Sequence, residues 1–261
     1  MTTASALLEE RGPSLLQLGT AVSPVADPYH AGSRILNPAA GTTITGFTVS
    51  AGFSRSFDLP EFDRFQLATA APFGDVTAGG WLSGFGQTLY SERTAGLNVS
   101  YPLPGSLQIG AGLSVTQVQV KNYGNDNAFS GDLGMFYAAR NWSVGASALN
   151  LLSTPLQTFA DDHPPRIVHL AGRYAPIDKL TLLAELEWME NHDLTVRAGT
   201  EIWMLDALAI RAGYDSAPER IHLGLALRWS GLTGMGAYDY HPWLGWSHAF
   251  GMHWQQHPVA P

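Results

Sequence analysis

Between residues 180 and 229 four runs alternate apolar side chains with others that are mostly charged or small. Leu182, Ala184, Leu186 and Trp188 alternate with Leu183, Glu185, Glu187 and Met189. Leu194, Val196, Ala198 and Ile202 alternate with Thr195, Arg197, Gly199 and Glu201. Leu208, Ile210, Ala212 and Tyr214 alternate with Ala209, Arg211 and Gly213. Ile221, Leu223, Leu225, Leu227 and Trp229 alternate with His222, Gly224, Ala226 and Arg228. A period of two places each set on its own face of a sheet. A soluble sandwich would not carry Glu and Arg on its inner face while its outer face carries Leu and Ile. Lipid outside and a polar lumen inside account for the inversion, so this run predicts a transmembrane β-barrel.

Composition agrees. Only 14% of residues are charged, against roughly 25% in ordinary soluble domains. The 28 glycines and 11% aromatics suit thin barrel walls and interfacial girdles. A net charge of −8 without a basic cluster argues against nucleic acid as a partner. The chain has no Cys, hence no disulfide framework. No apolar run approaches the roughly 18 residues of a spanning helix. Residues 1–11 do not read as a signal peptide. Because a barrel needs export, a trimmed or re-started N-terminus is the expectation.

Residues 1–43 do not alternate. Pro24, Asp27 and Pro28 punctuate them, and Asn37-Pro38-Ala39-Ala40-Gly41 closes them. The segment is not low-complexity and has few charges, which favours a periplasmic arm or plug over a disordered leader. A short helix is expected over 29–36. From Ile44, alternation and turn residues predict about fourteen strands. They are 44–57, 62–71, 75–85, 91–101, 106–118, 128–139, 141–152, 166–175, 179–189, 193–204, 206–215, 220–230, 232–240 and 244–254. The barrel is thus 44–254, all-β, antiparallel and up-and-down, with 255–261 as a tail. Every second link is short, at 72–74, 102–105, Arg140, 176–178, Leu205 and Gly231. The other set includes the longest links, 123–127 and 153–165. Short periplasmic turns and longer extracellular loops are what outer-membrane barrels show, and an even strand count then makes both termini periplasmic.

Several phrases carry a resemblance. Leu16-Gln17-Leu18-Gly19-Thr20-Ala21, Val25-Ala26-Asp27 and Asn37-Pro38-Ala39-Ala40 stand near the start. Arg211-Ala212-Gly213-Tyr214 stands on a strand. Tyr238-Asp239-Tyr240 and Leu244-Gly245-Trp246-Ser247-His248 stand near the end, before a last alternating strand. The chain resembles the PorV/PorQ proteins within the wider FadL-like outer-membrane barrels. It departs from them in a shortened Gly-rich opening, in Ser247 where Thr is usual, and in running past Trp254. It is also short for the secretion-associated members, whose extracellular loops are larger. The resemblance implies an N-terminal segment tucked into the periplasmic mouth. It also implies one of two roles: an uptake channel for hydrophobic compounds, or the type IX secretion component that receives exported proteins.

The candidate site is the charged lumen: Arg173, Glu185, Glu187, Arg197, Glu201, Arg211 and Arg228 all fall opposite the lipid. Lying on consecutive strands, they can pair across them. The favoured reading is a structural ladder of ion pairs, since unpaired charges there are costly unless water reaches them. The other is a polar constriction or a binding floor for an anionic head group. Asn37, Pro38 and Ala39 read first as a fixed turn that docks the arm, and second as the lining of a gate. The scattered histidines, among them His163, His169, His192, His222, His241, His248 and His253, show no converging metal set. Ser247 and His248, adjacent on a strand, point to opposite faces and make no dyad. No catalysis, metal or cofactor is therefore expected. The eight Trp residues read as a girdle. The expected function is envelope transport or secretion, as a hydrophobic-solute channel or a docking barrel for exported proteins. The alternative is a structural barrel with a closed lumen that scaffolds envelope proteins. Expected partners are outer-membrane lipid, with hydrophobic small molecules or exported and envelope proteins.

Overall fold

Fourteen antiparallel strands close on themselves, the first pairing with the last. The structure, a computed structural model, describes residues 17–41, 44–158 and 163–256. In order the strands are β1 Thr48–Arg55, β2 Asp63–Phe73, β3 Val76–Gly86, β4 Tyr90–Leu103, β5 Leu107–Val120, β6 Gly124–Ala138 and β7 Trp142–Ser153. They continue as β8 Ile167–Ile177, β9 Leu180–Met189, β10 Thr195–Leu205, β11 Leu208–Ser216, β12 Glu219–Trp229, β13 Leu232–His241 and β14 Gly245–Gln255. Each pairs with its chain neighbours, so no connection crosses the barrel.

The links sort by parity. Those at 74–75, 104–106, 139–141, 178–179, 206–207 and 230–231 form one end, to which the start of β1 and the end of β14 also belong. The opposite end carries 56–62 and 154–166 along with shorter links. These are called the short-turn and long-loop ends below. Residues 124–127, expected in a loop, instead extend β6, because Val120 pairs with Gly124 across a tight turn. The first strand starts at Thr48 rather than 44. The Ile44 side chain turns inward to pack with Ala31, Ile35, Ala68, Ala70 and Trp81, which keeps that stretch out of the ladder.

Strand parity decides what faces out. Leu186, Val196, Ile210 and Leu225 are exposed on the outer wall, while Glu185, Arg197, Arg211 and Ala226 are buried inside. Trp142, Trp188, Trp229, Trp246 and Trp254 also face outward near strand ends. Trp81 does not join them. It is buried against the lumen contents, and Trp203 likewise faces inward, because each shares parity with an inward neighbour, Ser83 and Glu201.

An Arg at Leu225, which is 54% exposed on the outer wall, is expected to destabilise the barrel by about 2–4 kcal/mol if it sits at the bilayer midplane. Urea-driven unfolding from vesicles reads this. A loss below a few tenths would count against a lipid-facing wall.

One irregularity breaks the ladder. Pairing jumps from Gly131↔Leu152 to Leu133↔Ala148, so β7 carries extra residues opposite Asp132. Asn150 sits there at φ 56°, its N–H donating to Asp132 Oδ1 at 2.8 Å and its side-chain amide to the Pro165 carbonyl at 2.7 Å. The bulge sends Leu149 inward, against Val25 and Ile167.

Residues 17–41 run inside the barrel. The segment holds one helical turn, Gln17–Thr20, and two 3₁₀ turns, Pro24–Ala26 and Ala31–Ile35, the latter where a helix over 29–36 is expected. Leu16, which opens the N-terminal phrase, lies outside the described residues, as do the rest of 1–16, the loop stretch 159–162 and the tail from 257.

Candidate functional site

A chain of some two dozen residues inside a barrel needs partners for its backbone, since water is largely excluded there. The walls provide them. Ser23 Nα–H donates to Glu185 Oε2 on β9 at 2.7 Å, and its hydroxyl donates to Oε1 of the same carboxylate. Ser143 on β7 donates to the Ala26 carbonyl at 2.6 Å. The Gly32 N–H donates to Ser50 on β1 at 3.3 Å. The inner segment therefore touches the wall all the way round.

Two anchors hold it. Arg34 is 2% exposed and has no carboxylate among its described partners. Its guanidinium donates to Asn98 Oδ1 and the Ala40 carbonyl at 2.7 Å, and to Ser100 Oγ and the Thr77 carbonyl at 3.0 Å. Burial pulls its pKa down to about 10, so it is charged at neutral pH, its donors spent on neutral acceptors. Asn37 is the second anchor. Its amide donates to the Val25 carbonyl at 2.9 Å and the Met135 carbonyl of β6 at 3.0 Å, while its Oδ1 accepts from Ala39 N–H at 3.0 Å. Pro38 and Ala39 lie directly on the β5 and β6 walls. The three residues thus tie the segment to itself and to the barrel.

Close approach explains two wall glycines. A Cβ on Gly145 would lie 2.0 Å from the Val25 carbonyl oxygen, and one on Gly213 would lie 2.1 Å from that of Thr20. Any side chain at either place displaces the inner segment. Gly213→Val is accordingly expected to raise protease cleavage within residues 17–41 while the strands stay protected. Unchanged cleavage would mean that the contact is not formed.

The lumen charges fall into two groups. Towards the long-loop end, Glu185 and Arg197 are direct cross-strand partners, as are Arg197 and Asp215. Arg197 grips Glu187 with two nitrogens at 2.8 and 2.9 Å, and lies 3.4 Å from Glu185 and 3.0 Å from Asp215. His169 Nδ1 is 2.8 Å from Glu185 and 3.4 Å from Glu187. Asp215 continues the row to His222 at 3.2 Å and Arg220 at 3.9 Å. Contrary to the expectation of no converging set, His169, Glu185 and Glu187 bring three metal-capable groups together. Every carboxylate oxygen in that set is nevertheless engaged by Ser23, His169 or Arg197, which makes it an ion-pair cage that holds the inner segment.

Towards the short-turn end, Glu201 accepts from Arg211 at 2.7 Å and from the Trp203 indole at 2.9 Å. The Arg228 guanidinium lies 3.8 Å above the Trp203 ring. Arg173 lies 5.3 Å from the Tyr29 ring and donates to Thr181 at 3.3 Å. These side chains border a cavity of about 490 Å³ between the inner segment and the short turns. Asp27 and His30, 2.5 Å apart, form part of its roof. Burial pushes the Asp27 carboxyl up, but His30, the Tyr29 N–H and Arg173 together hold it below its usual range.

The structure therefore brings Glu185, Glu187 and Arg197 together, separately joins Glu201 with Arg211, and leaves Arg173 and Arg228 facing the cavity. Sequence reasoning missed Ser23, Arg34, Asp215 and Trp203. The last two share parity with the inward set, which would have found them. Ser23 and Arg34 lie in a segment with no period to read.

No protein-family model matches the sequence, and no curated protein matches it. Solved structures do. A channel described as the CymD monoaromatic hydrocarbon channel superposes with a TM-score of 0.68 at 12% identity, over 95% of this chain and 100% of that one. The Pseudomonas putida toluene transporter TodX gives 0.65 at 12% identity, over 94% and 96%. A Pseudomonas aeruginosa FadL homologue gives 0.68 at 11% identity, over 96% and 100%. At these identities the likeness shows a shared fold, the closed fourteen-strand antiparallel barrel.

Proposed function

We propose that the chain is a bacterial outer-membrane barrel for uptake of small hydrophobic or amphipathic compounds, with both termini periplasmic. On this reading residues 1–43 are the plug, 44–254 the wall and 255–261 a tail. The observation that carries it is the closed fourteen-strand barrel, built on the plan of structures described as monoaromatic hydrocarbon channels. The outward apolar wall and the parity of the turns support placement and orientation. An outward-facing hollow of about 690 Å³, bordered by Val99, Tyr101, Ile109, Leu133, Met135 and Leu151, lies beside the β7 bulge and is almost wholly apolar. Its lining belongs to the same apolar outer face, which fits contact with lipid as well as with an apolar solute. The long-loop charges serve as the structural ladder.

The terminal phrases shared with PorV/PorQ proteins, together with the filled lumen, favour a second reading. In it the barrel docks exported or envelope proteins, or scaffolds them as a closed structural element. The short links at 87–89, 121–123 and 190–194 offer little surface for that.

Expression in a host bacterium without hydrocarbon channels tests the proposal. Labelled toluene or a long-chain fatty acid should accumulate faster than in cells carrying an empty vector. Equal accumulation, with the barrel present and heat-modifiable in the outer membrane, would sink uptake and leave docking.

A further inference from the structure

We infer that the cavity at the short-turn end is a binding site for an aromatic or short-chain carboxylate, held by Arg228 and Arg173. The inference rests on the uptake reading for its biological sense but not for its chemistry. Its basis is how the barrel disposes of its cations. Arg197, Arg211 and Arg220 lie within ion-pair distance of acids, and Arg34 makes four hydrogen bonds to neutral acceptors. Among the described residues, the Arg228 guanidinium has no side-chain hydrogen bond and no acid within ion-pair distance; it lies over the face of Trp203, with Glu201 attracting it only from farther off. Arg173 has a single long hydrogen bond to a hydroxyl and the ring of Tyr29.

Both guanidiniums border the same cavity. Of the acids that border the cavity, Glu201 is committed to Arg211 and Trp203, and Asp27 to His30 and the Tyr29 N–H, while Asp178 sits at the rim in the 178–179 turn without an ion-pair contact to either guanidinium. A half-buried cation without a partner is costly unless water or a ligand supplies an anion. A guanidinium held over an indole face without hydrogen-bond partners keeps its N–H groups available, and such a group can grip a carboxylate through two parallel hydrogen bonds. The indole and tyrosine faces, with Ile177 and Leu183, give the same cavity an apolar side. At about 490 Å³ it has room for a ring or short chain attached to that carboxylate, within the roughly 300–1,000 Å³ of ordinary ligand sites.

Isothermal titration of the purified full-length barrel in detergent tests this with benzoate and its neutral analogue benzyl alcohol. The wild type should prefer benzoate, and Arg228→Gln should weaken benzoate by about tenfold or more, collapsing the preference. Arg173→Gln should weaken it in the same direction. No preference for benzoate in the wild type, or undiminished affinity in R228Q, would overturn the site. Should R228Q fail to reach the heat-modifiable barrel state, the wild-type comparison and Arg173→Gln decide. Inorganic phosphate as competitor separates the sources of the anion. Displacement of benzoate by phosphate at equal concentration would mean an unselective anion trap and overturn the carboxylate assignment, whereas persistence of benzoate supports it. Arg228-dependent benzoate binding without toluene accumulation in cells would sink uptake and leave this site standing, and the reverse outcome would do the opposite.

Discussion

Removal of residues 1–41 is expected to convert a closed barrel into an open pore. Planar-bilayer recordings should show discrete conductance steps that the full-length chain lacks. The wall does not need the inner segment to close, because β1 and β14 pair along their whole length, from Thr48↔Gln255 to Arg55↔His248. The lumen does need it to be filled. Barrels of about eight strands fill themselves with side chains, whereas those of roughly 16–18 leave an aqueous channel. Fourteen strands lie near the second group, and the walls here carry glycines where the inner segment passes, as at Gly145 and Gly213. Those glycines cannot reach across the gap that Thr20, Val25 and Asn37 now occupy. Heat-modifiability on gels should survive the deletion. A deleted barrel that stays folded but conducts no more than the full-length chain would mean that side chains alone close the lumen.

The wall was legible in the sequence and its contents were not, for a physical reason. Alternation is local. Each of Leu223, Leu225 and Leu227 reports its face through the residue two positions away, so strand positions and facing emerge from the chain itself, including the inward Glu185, Arg197 and Arg211. Even the inward Trp203 follows from parity with Glu201, although aromatic character near a strand end suggests a girdle. The path of the inner segment depends on contacts between residues far apart. Ser23 meets Glu185, Arg34 meets Asn98, and no periodicity marks either. Arg34 is the sharpest case. A lone charge beside Ile35 and Leu36 in an irregular segment reads as solvent-exposed, yet it is buried among carbonyls, hydroxyls and an amide. The division of the lumen charges was equally hidden. Register decides that Glu201 meets Arg211 while Arg228 meets only an indole, and register is set by turns.

Replacing Glu185 by Ala is expected to release the inner segment locally and to cost about 1–3 kcal/mol of stability, the scale for leaving a buried donor unsatisfied. The carboxylate is 2% exposed and gathers two donors from Ser23, one from His169 and the flank of Arg197. Its removal leaves the Ser23 N–H without an acceptor in a buried site, which the segment relieves by moving away. Arg197 keeps Glu187 and Asp215, so those ion pairs survive and the damage concentrates on the inner segment. That separation can be measured because the natural chain has no Cys. A single reporter, Val22→Cys, sits 2% exposed inside the full-length barrel. It should resist a water-soluble maleimide in the otherwise natural chain and react quickly once Glu185→Ala is added. Glu185→Gln retains one carbonyl oxygen for the Ser23 donors and should fall between the two. Equal labelling in all three backgrounds would mean that Arg34 and Asn37 hold the segment unaided and that Glu185 serves the wall alone.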